Sequence, residues 1–513
     1  MDSAIASPPA SPASAQELPA ADDAAGRCRF VNQRLPEHTL YSDAKRAIHP
    51  DSRASWRLSP EPFWLSPIQH TYLQALGQDL LAFYRALNSL YGASVRGTQP
   101  GWVADYFDRG RPQHLVDYSR LNRTKRSLPG VIRPDLFLTD DGFVATELDS
   151  VPGGIGFGAS LSQPYTDLGF DLLGGQDGMV EGFASMLESV AGKPHPSAGI
   201  VVSEESGDYW DEMAWLAAAL RGRGQSVHAV RPDDVRFTED SLFVPEGGSP
   251  GPREETEGDP NRQHVPIDVL YRFFELYDIK NVPKWELFLY SMKKQRVALT
   301  PPIKSYLEEK LSFALLHHPA LTTWWKGELK DAFERLKRVL PETWILDPRP
   351  LSPHATVPGL ELGGKAVQDW GQLIGLTQKE RQLVIKPSGF DATAWGSRGV
   401  KIGHDLPEDE WAGAVQEGLE RFDTVRHVLQ RFHTAKRVVV EYYDFDTGEV
   451  RRMPGRARIT PYYFVVGDEA RLGGVTATVV PIDKKLIHGM VDAVIVPCAV
   501  RQPVNPADQS AGG

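Results

Sequence analysis

Arg133-Pro134-Asp135-Leu-Phe-Leu-Thr-Asp-Asp-Gly-Phe-Val-Ala-Thr-Glu147-Leu148-Asp149, running on into Ser150-Val-Pro-Gly-Gly-Ile-Gly-Phe-Gly158, decides the reading of this chain. Between the acidic groups, Leu136 to Thr146 alternates and turns as a β-hairpin with an Asp-Gly tip. Such a hairpin sets Asp135 beside Glu147 and Asp149 on the neighbouring strand, and the last two share a face because they are two residues apart. Three converging carboxylates repel one another unless a cation sits among them. Hard oxygen ligands of this kind suit Mg²⁺ bridging substrate phosphates.

The composition bounds the alternatives. At 513 residues, with 41% hydrophobic and 24% charged residues, the chain is globular, and two to four domains is the prior. A net charge of -11 argues against a general nucleic-acid or anionic-membrane surface, which needs clustered cations, although local basic pockets remain open. Cys28 and Cys498 are the only cysteines and build neither a disulfide framework nor a thiolate metal site. The first residues are rich in Ala, Pro and Ser with no basic or apolar leader, so 1–30 reads as a disordered tail. No run reaches the ~20 apolar residues of a membrane helix, and a cytoplasmic location is expected.

Along the chain, Pro67 to Leu90 carries apolar residues at helical spacing, and Leu168 to Val190 is expected to be largely helical. Ala198–Ser203, the helix Tyr209–Arg221 and Ser226–Val230 form a βαβ pattern, and after an exposed loop over Gly247–Gln263 the sheet resumes at Ile267–Phe273. Helices are expected at Ile303–His317 and Trp325–Leu340, then strands at Gln382–Lys386, Val428–Phe432, Val438–Tyr443, Tyr462–Val466 and Ala477–Val480. The expected units are a tail (1–30), a helical region with the acidic hairpin (31–195), a βαβ domain (196–282), an α+β unit (283–500) and a C-terminal tail (501–513).

Leu383-Val-Ile-Lys386-Pro-Ser-Gly389 places a lysine at the end of an apolar strand, directly before Gly396-Ser397-Arg398-Gly399-Val400. Glycines let backbone amides approach an anion, and the lysine adds a point charge for phosphate oxygens. The pattern is not a Walker loop, which must open a helix. His427-Val-Leu-Gln430-Arg431-Phe432 suits a purine edge and faces. Lys304 and Lys310 precede the apolar run Leu311-Ser-Phe-Ala-Leu-Leu316.

These elements together resemble the ATP-grasp fold, in which two β-rich subdomains clamp ATP. Because the acidic residues precede the phosphate lysines, the order resembles the circularly permuted branch, typified by the synthetase domain of glutathionylspermidine synthases; Arg133-x-Asp135 and Glu147-x-Asp149 match its spacing. The resemblance implies an α+β and α/β architecture with a βαβ pre-ATP-grasp-like domain and ATP and Mg²⁺ as cofactors. It implies Asp135, Glu147 and Asp149 as magnesium ligands, the family usually having asparagine at the last, and Arg133 facing the transferred phosphoryl group. Lys310 (preferred to Lys304) and Lys386 would contact phosphates, Ser397, Arg398 and Gly399 would cover them, and Gln430, Arg431 and Phe432 would border adenine. The family's late-strand arginine is missing from Leu472–Thr478; Arg456, Arg458 and Arg471 are the candidate substitutes.

The implied reaction is an ATP-dependent carboxylate–amine ligation through an acyl phosphate, releasing ADP and phosphate. Its substrates would be small or peptide-like carboxylates and amines, with no nucleic-acid or membrane partner, and the amides of Gly153, Gly154 and Gly156 are candidate oxyanion donors. The competing expectation is a catalytically inactive ATP-binding regulatory or assembly module. Substrate identity and oligomeric state are not legible.

Overall fold

Asp23 caps the first helix, α1 (Ala24–Arg34), by accepting from the Gly26 amide at 2.6 Å. The helix buries Cys28, Phe30 and Val31, so residues 24–30 of the expected 1–30 tail are helical, while residues 1–17 of it lie outside the described residues. A polar, Ala-rich average had hidden this one short apolar stripe. The computed structural model describes residues 18–36, 48–149, 151–251, 262–351, 355–396, 398–484, 486–487 and 492–501. Most of the expected Gly247–Gln263 loop and all but residue 501 of the expected C-terminal tail lie outside the described residues.

After β1 (Phe63–Leu65), Ser66 and Gln69 form a capping box around Pro67, and α2 (Pro67–Val95) follows. Its apolar stripe, including Leu73, Leu76, Leu80 and Leu87, is buried. Gly77 lets this helix lie directly on a sheet, because a Cβ there would stand 2.4 Å from the Tyr463 ring. The chain then forms β2 (Val131–Thr139) and β3 (Gly142–Asp149), α3 (Ile155–Asp167) and α4 (Gly178–Ala191). Residues 168–177 are not helical as expected. Next come β4 (Ala198–Val202), α5 (Trp210–Gly222), β5 (Val227–Val230), β6 (Val269–Phe273) and β7 (Ala298–Thr300).

The helix expected from Ile303 begins only at α6 (Leu311–His317), after a single 3₁₀ turn at Ser305–Leu307. That expected over Trp325–Leu340 divides into α7 (Thr322–Leu329) and α8 (Ala332–Val339), separated where Lys330 takes a φ of 50°. The remaining elements that build the site are β8 (Thr343–Ile345), β9 (Leu383–Pro387), β10 (Lys401–Ile402), α9 (Glu408–Glu420), β11 (His427–Arg431), β12 (Arg437–Asp444), β13 (Glu449–Val466), β14 (Glu469–Pro481) and β15 (Val494–Val500). Among the described residues no helix is long and apolar enough to cross a membrane.

The architecture is mixed α/β with several sheets. The largest has seven strands in the order β1-β15-β14-β13-β2-β3, with β12 also on β13. β1 runs parallel to β15, pairing Phe63 with Cys498, while β2 is antiparallel to β13, pairing Phe137 with Arg458. The expected units 31–195 and 283–500 therefore share one sheet, a pairing that local periodicity does not report. A second sheet, β7-β6-β4-β5, is wholly parallel, with α5 as the β4-to-β5 crossover. The third, β8-β11-β9-β10, is antiparallel and carries Lys386 on an inner strand.

Candidate active site

The acidic hairpin forms by local pairing: β2 and β3 meet with Arg133 opposite Asp149 and Asp135 opposite Glu147. The turn consists of Asp140 and Asp141, and Gly142 at φ 130° opens the second strand instead of ending the turn. Between Asp135 and Leu136 the register slips, so Thr146 is an extra residue on β3. This bulge turns the Thr146 carbonyl toward Lys386, whose Nζ donates to it at 3.1 Å. Alternation places Arg133, Asp135, Glu147 and Asp149 on one face.

That face does not present three free carboxylates. Arg133 holds it from behind: its Nη2 reaches Asp149 Oδ2 at 2.9 Å, its Nε lies 3.3 Å from Asp135 Oδ1, and its Nη1 donates to the Gly153 carbonyl at 2.9 Å. Asp149 Oδ1 also accepts from the Val151 amide. Burial, against the pull of Arg133, raises the Asp149 carboxyl above its ordinary range. Among the described residues no group of three or more His, Cys, Asp or Glu side chains is arranged to hold a metal. The hairpin thus presents a charge-compensated face, with Arg133 clamping Asp135 and Asp149 from behind and neither Arg133 nor Asp149 lining the cavity in front.

In front of this face lies a cavity of about 360 Å³. Its charged end is lined by Asp135, Glu147, Lys310, Lys386, Arg456 and Arg458. Val384, Ile402 and Phe432 line a more apolar part, with Phe432 set edge-on to the His404 ring at 4.4 Å. The volume falls within the ~300–1,000 Å³ typical of small-molecule sites, with polar groups converging on an apolar pocket.

Lys310 stands immediately before α6 because its own amide bonds to Ser388 O at 2.8 Å, tying the two lysine-bearing segments together. Its Nζ meets Glu147 Oε2 at 3.3 Å and Ala394 O at 3.0 Å. Lys386, 7% exposed, donates to Gln430 Oε1 at 2.8 Å and to Thr146 O, with no carboxylate paired to it among the described residues. Burial pushes its ammonium down to about 8 despite the attraction of Glu147. For part-exposed Glu147, burial opposes ionisation, but Lys310, then Lys386, Arg133 and Arg458 hold its carboxyl well below the ordinary range. Lys304 is instead buried elsewhere, bonded to Asn88 and to the carbonyls of Lys125 and Ser127.

Arg458 comes from β13, and its Nη1 reaches Asp135 Oδ2 at 3.0 Å. Arg456, two residues earlier, also lines the cavity, whereas Arg471 pairs with exposed Glu469 outside it. The sequence signal was the alternation Arg456-Ala-Arg458, which puts both guanidinium groups on one side of a strand. His404 and Asp405 also line the cavity and were not anticipated.

The other expected site residues divide. Gln430, Arg431 and Phe432 line the cavity, although Arg431 also pairs with Glu342 at 3.2 Å. Gly399 packs close, since a Cβ there would meet Pro387 and Thr393 O at 2.7 Å. Arg398 points away, 64% exposed and 3.8 Å from Glu205, and Ser397 lies outside the described residues. The amide of Gly154 is engaged by Glu212 Oε1 at 2.6 Å, so it is not an open oxyanion donor. Gly156 permits α3 to approach α5, a Cβ there falling 2.1 Å from Glu212 O.

The donor set fits Mg²⁺ in the manner of an ion held by one or two carboxylates plus substrate phosphates. Asp135 and Glu147 border the cavity, each already held by a cation: Asp135 by Arg133 and Arg458, Glu147 by Lys310. Asp149 does not fit, because it does not line the cavity and both its oxygens are engaged behind the face.

No protein-family model matches the chain, and no curated protein sequence does so. Among solved structures, the fold is similar to that of a glutathione synthetase-like effector from Globodera pallida in its apo form, with a TM-score of 0.53, 10% identity, and coverage of 93% of this chain and 96% of that one. A protein provisionally assigned as a γ-glutamylcysteine synthetase from Methylobacillus flagellatus aligns over 83% of this chain and 85% of its own at 12% identity, but its TM-score of 0.38 is too low to carry an argument. The chain therefore has a glutathione synthetase-like fold.

Proposed function

We propose that this protein is an ATP- and Mg²⁺-dependent carboxylate–amine ligase of the ATP-grasp type, built in the circularly permuted order. The observation that carries the reading is the convergence of Lys310, Lys386 and Arg458 with Asp135 and Glu147 on one cavity whose other part is apolar. Lys310 and Arg458 each pair with one of the two carboxylates, which leaves Lys386 as a buried cation with no ion-pair partner among the described residues, a charge that a phosphate in the cavity would compensate. The likeness to a glutathione synthetase-like protein supports a fold on which this chemistry is common.

In this reading Lys386 and Lys310 bind the ATP phosphates and orient them across the mouth of the hairpin. Arg458, held by Asp135, takes the place of the family's missing late-strand arginine at the phosphoryl group. Mg²⁺, held by Asp135 and Glu147 when bound, would neutralise charge on the γ-phosphoryl oxygens. Phosphoryl transfer turns a carboxylate into an acyl phosphate, and an amine then displaces phosphate. Gln430 keeps the Lys386 ammonium aimed at the phosphates, and Arg133 holds the hairpin rigid. The acceptors are small or peptide-like, and the location remains proposed as cytoplasmic.

One observation favours the alternative of a non-catalytic nucleotide-binding module: Asp135, Glu147 and Asp149 are each already compensated by an arginine or lysine. Turnover separates the two readings. With a pool of small carboxylates and amines, the ligase releases ADP and phosphate, and hydroxylamine traps the hydroxamate of its carboxylate substrate. Pyrophosphate release would overturn the acyl-phosphate mechanism, and ATP binding with no consumption would establish the module.

A further inference from the structure

A second cavity, of about 1290 Å³, opens beside the start of β2 and shares no lining residue with the first. Gly130 borders it and Asp135 borders the other, so about 17 Å of strand separates them at ~3.3 Å per residue. Its wall is cationic in a chain whose net charge is -11: Arg96, Arg123, Lys125 and Arg126 are exposed at its edge, and none has an ion-pair partner among the described residues. Two further arginines are neutralised, Arg85 by Asp468 at 2.7 Å and Arg120 by Asp108 at 2.5 Å. Asp468 is the one carboxylate on the lining, so four cations stand unbalanced.

The segment that carries three of those cations is tied down from inside. Buried Lys304 donates to the carbonyls of Lys125 and Ser127 at 3.1 and 2.8 Å, and Asn88 Nδ2 donates to Lys125 O at 2.8 Å. These bonds draw the backbone carbonyls of the Lys125–Ser127 turn inward, and the basic side chains at 123, 125 and 126 remain exposed. Arg123 is also fixed to the carbonyl of Lys293. Stacked Tyr91 and Tyr306, with ring centroids 4.0 Å apart, form part of the wall.

We propose that this cavity binds a small anion carrying at least two phosphate or carboxylate groups, at a site separate from the nucleotide. A concave wall of one sign concentrates the field, and only a multiply charged ligand engages several dispersed cations at once; a single charge at an exposed cation is largely screened. An extended nucleic acid would have to leave the cavity over a chain of net negative charge, which works against it.

Calorimetric titration of the full chain with inorganic tripolyphosphate tests this. Wild type and Lys386→Ala are expected to bind it with an affinity that falls as salt rises. In the Lys386→Ala background, Arg96→Glu/Arg126→Glu should bind tripolyphosphate roughly tenfold or more weakly, and with Lys386 intact the same pair should leave ATP binding unchanged. If that pair fails to fold, Arg96→Gln/Arg126→Gln replaces it, with the melt recorded alongside. Unaltered tripolyphosphate affinity in the arginine variants overturns the proposal, as does loss of binding in Lys386→Ala, which would assign the anion to the nucleotide cavity. Tighter binding of a duplex oligonucleotide or of phosphatidylserine vesicles than of tripolyphosphate also overturns it.

Discussion

Raising the pH from 7 to 9 should weaken ATP binding about tenfold, through Lys386 alone. Burial lowers this ammonium to about 8, and its contacts are two neutral oxygens, Gln430 Oε1 and Thr146 O. With that value the free protein is roughly nine-tenths ammonium at pH 7 and roughly one-tenth at pH 9, whereas an ordinary lysine near ~10.4 would stay charged throughout. Phosphates favour the charged form, so binding takes up a proton, and affinity falls as pH rises through about 8. The same depression acts on stability with the opposite trend. The unfolded chain binds more protons between about 8 and ~10.4, so the ligand-free protein gains about 3 kcal/mol across that window as a penalty present at lower pH is relieved. Calorimetry in buffers of different ionisation enthalpy reads both the affinity and the proton uptake. Lys386→Met should bind ATP ten- to a hundredfold more weakly at pH 7, with AMP less affected and with no pH dependence left. Wild-type affinity that stays level from pH 7 to 9 with no proton uptake would refute the assignment of Lys386 to phosphate.

Other perturbations separate the roles of the remaining groups. Glu147→Gln should abolish magnesium-dependent turnover and lower the melting temperature modestly, because it removes the ion pair with Lys310 and the charge that Lys386 and Arg458 attract; turnover and melt are measured on the same sample. Asp135→Ala should cost turnover and also about 3–5 kcal/mol of stability in denaturant titration, since it strips a buried carboxylate from Arg133 and Arg458. Arg458→Met should lower kcat roughly 10²–10³-fold with a much smaller change in ATP affinity, whereas loss of binding alone would make it a simple anchor. Gly77→Ala should destabilise the protein by about 1–3 kcal/mol through overpacking against Tyr463, far from the cavity, and leave KM for ATP unchanged.

What the sequence reveals here follows the range of the interactions involved. Asp135 and Glu147 were legible as neighbours because hairpin pairing is local, and Lys386 because an apolar strand ended in a lysine before glycines. The capture of Arg133 by Asp135, Asp149 and the Gly153 carbonyl was not legible, since it depends on how several charges satisfy one another once water is excluded. Arg458 stood among three candidates because only the β2–β13 register, across more than 300 residues, brings it to Asp135. The interrupted helix before Leu311 has a similar origin: the ammonium of Lys304 is drawn to Asn88 and a distant turn, a tertiary bond that helical periodicity cannot anticipate.

The pairing of β2 with β13 also sets an order of events during synthesis. The hairpin and its acidic face leave the ribosome early and can form at once, but one edge of β2 has no neighbour until residues near 449–466 have emerged. Through most of translation that edge is an open strand with unpaired backbone groups, the kind of surface on which chains aggregate. A chain halted just before β13 would already possess Lys310 and Lys386, yet would lack the arginine that pairs with Asp135 and the strand that covers the edge. Completion of the candidate site and protection of the nascent chain thus coincide in one late strand, so a product cut short there would lack part of the site and stay exposed to aggregation.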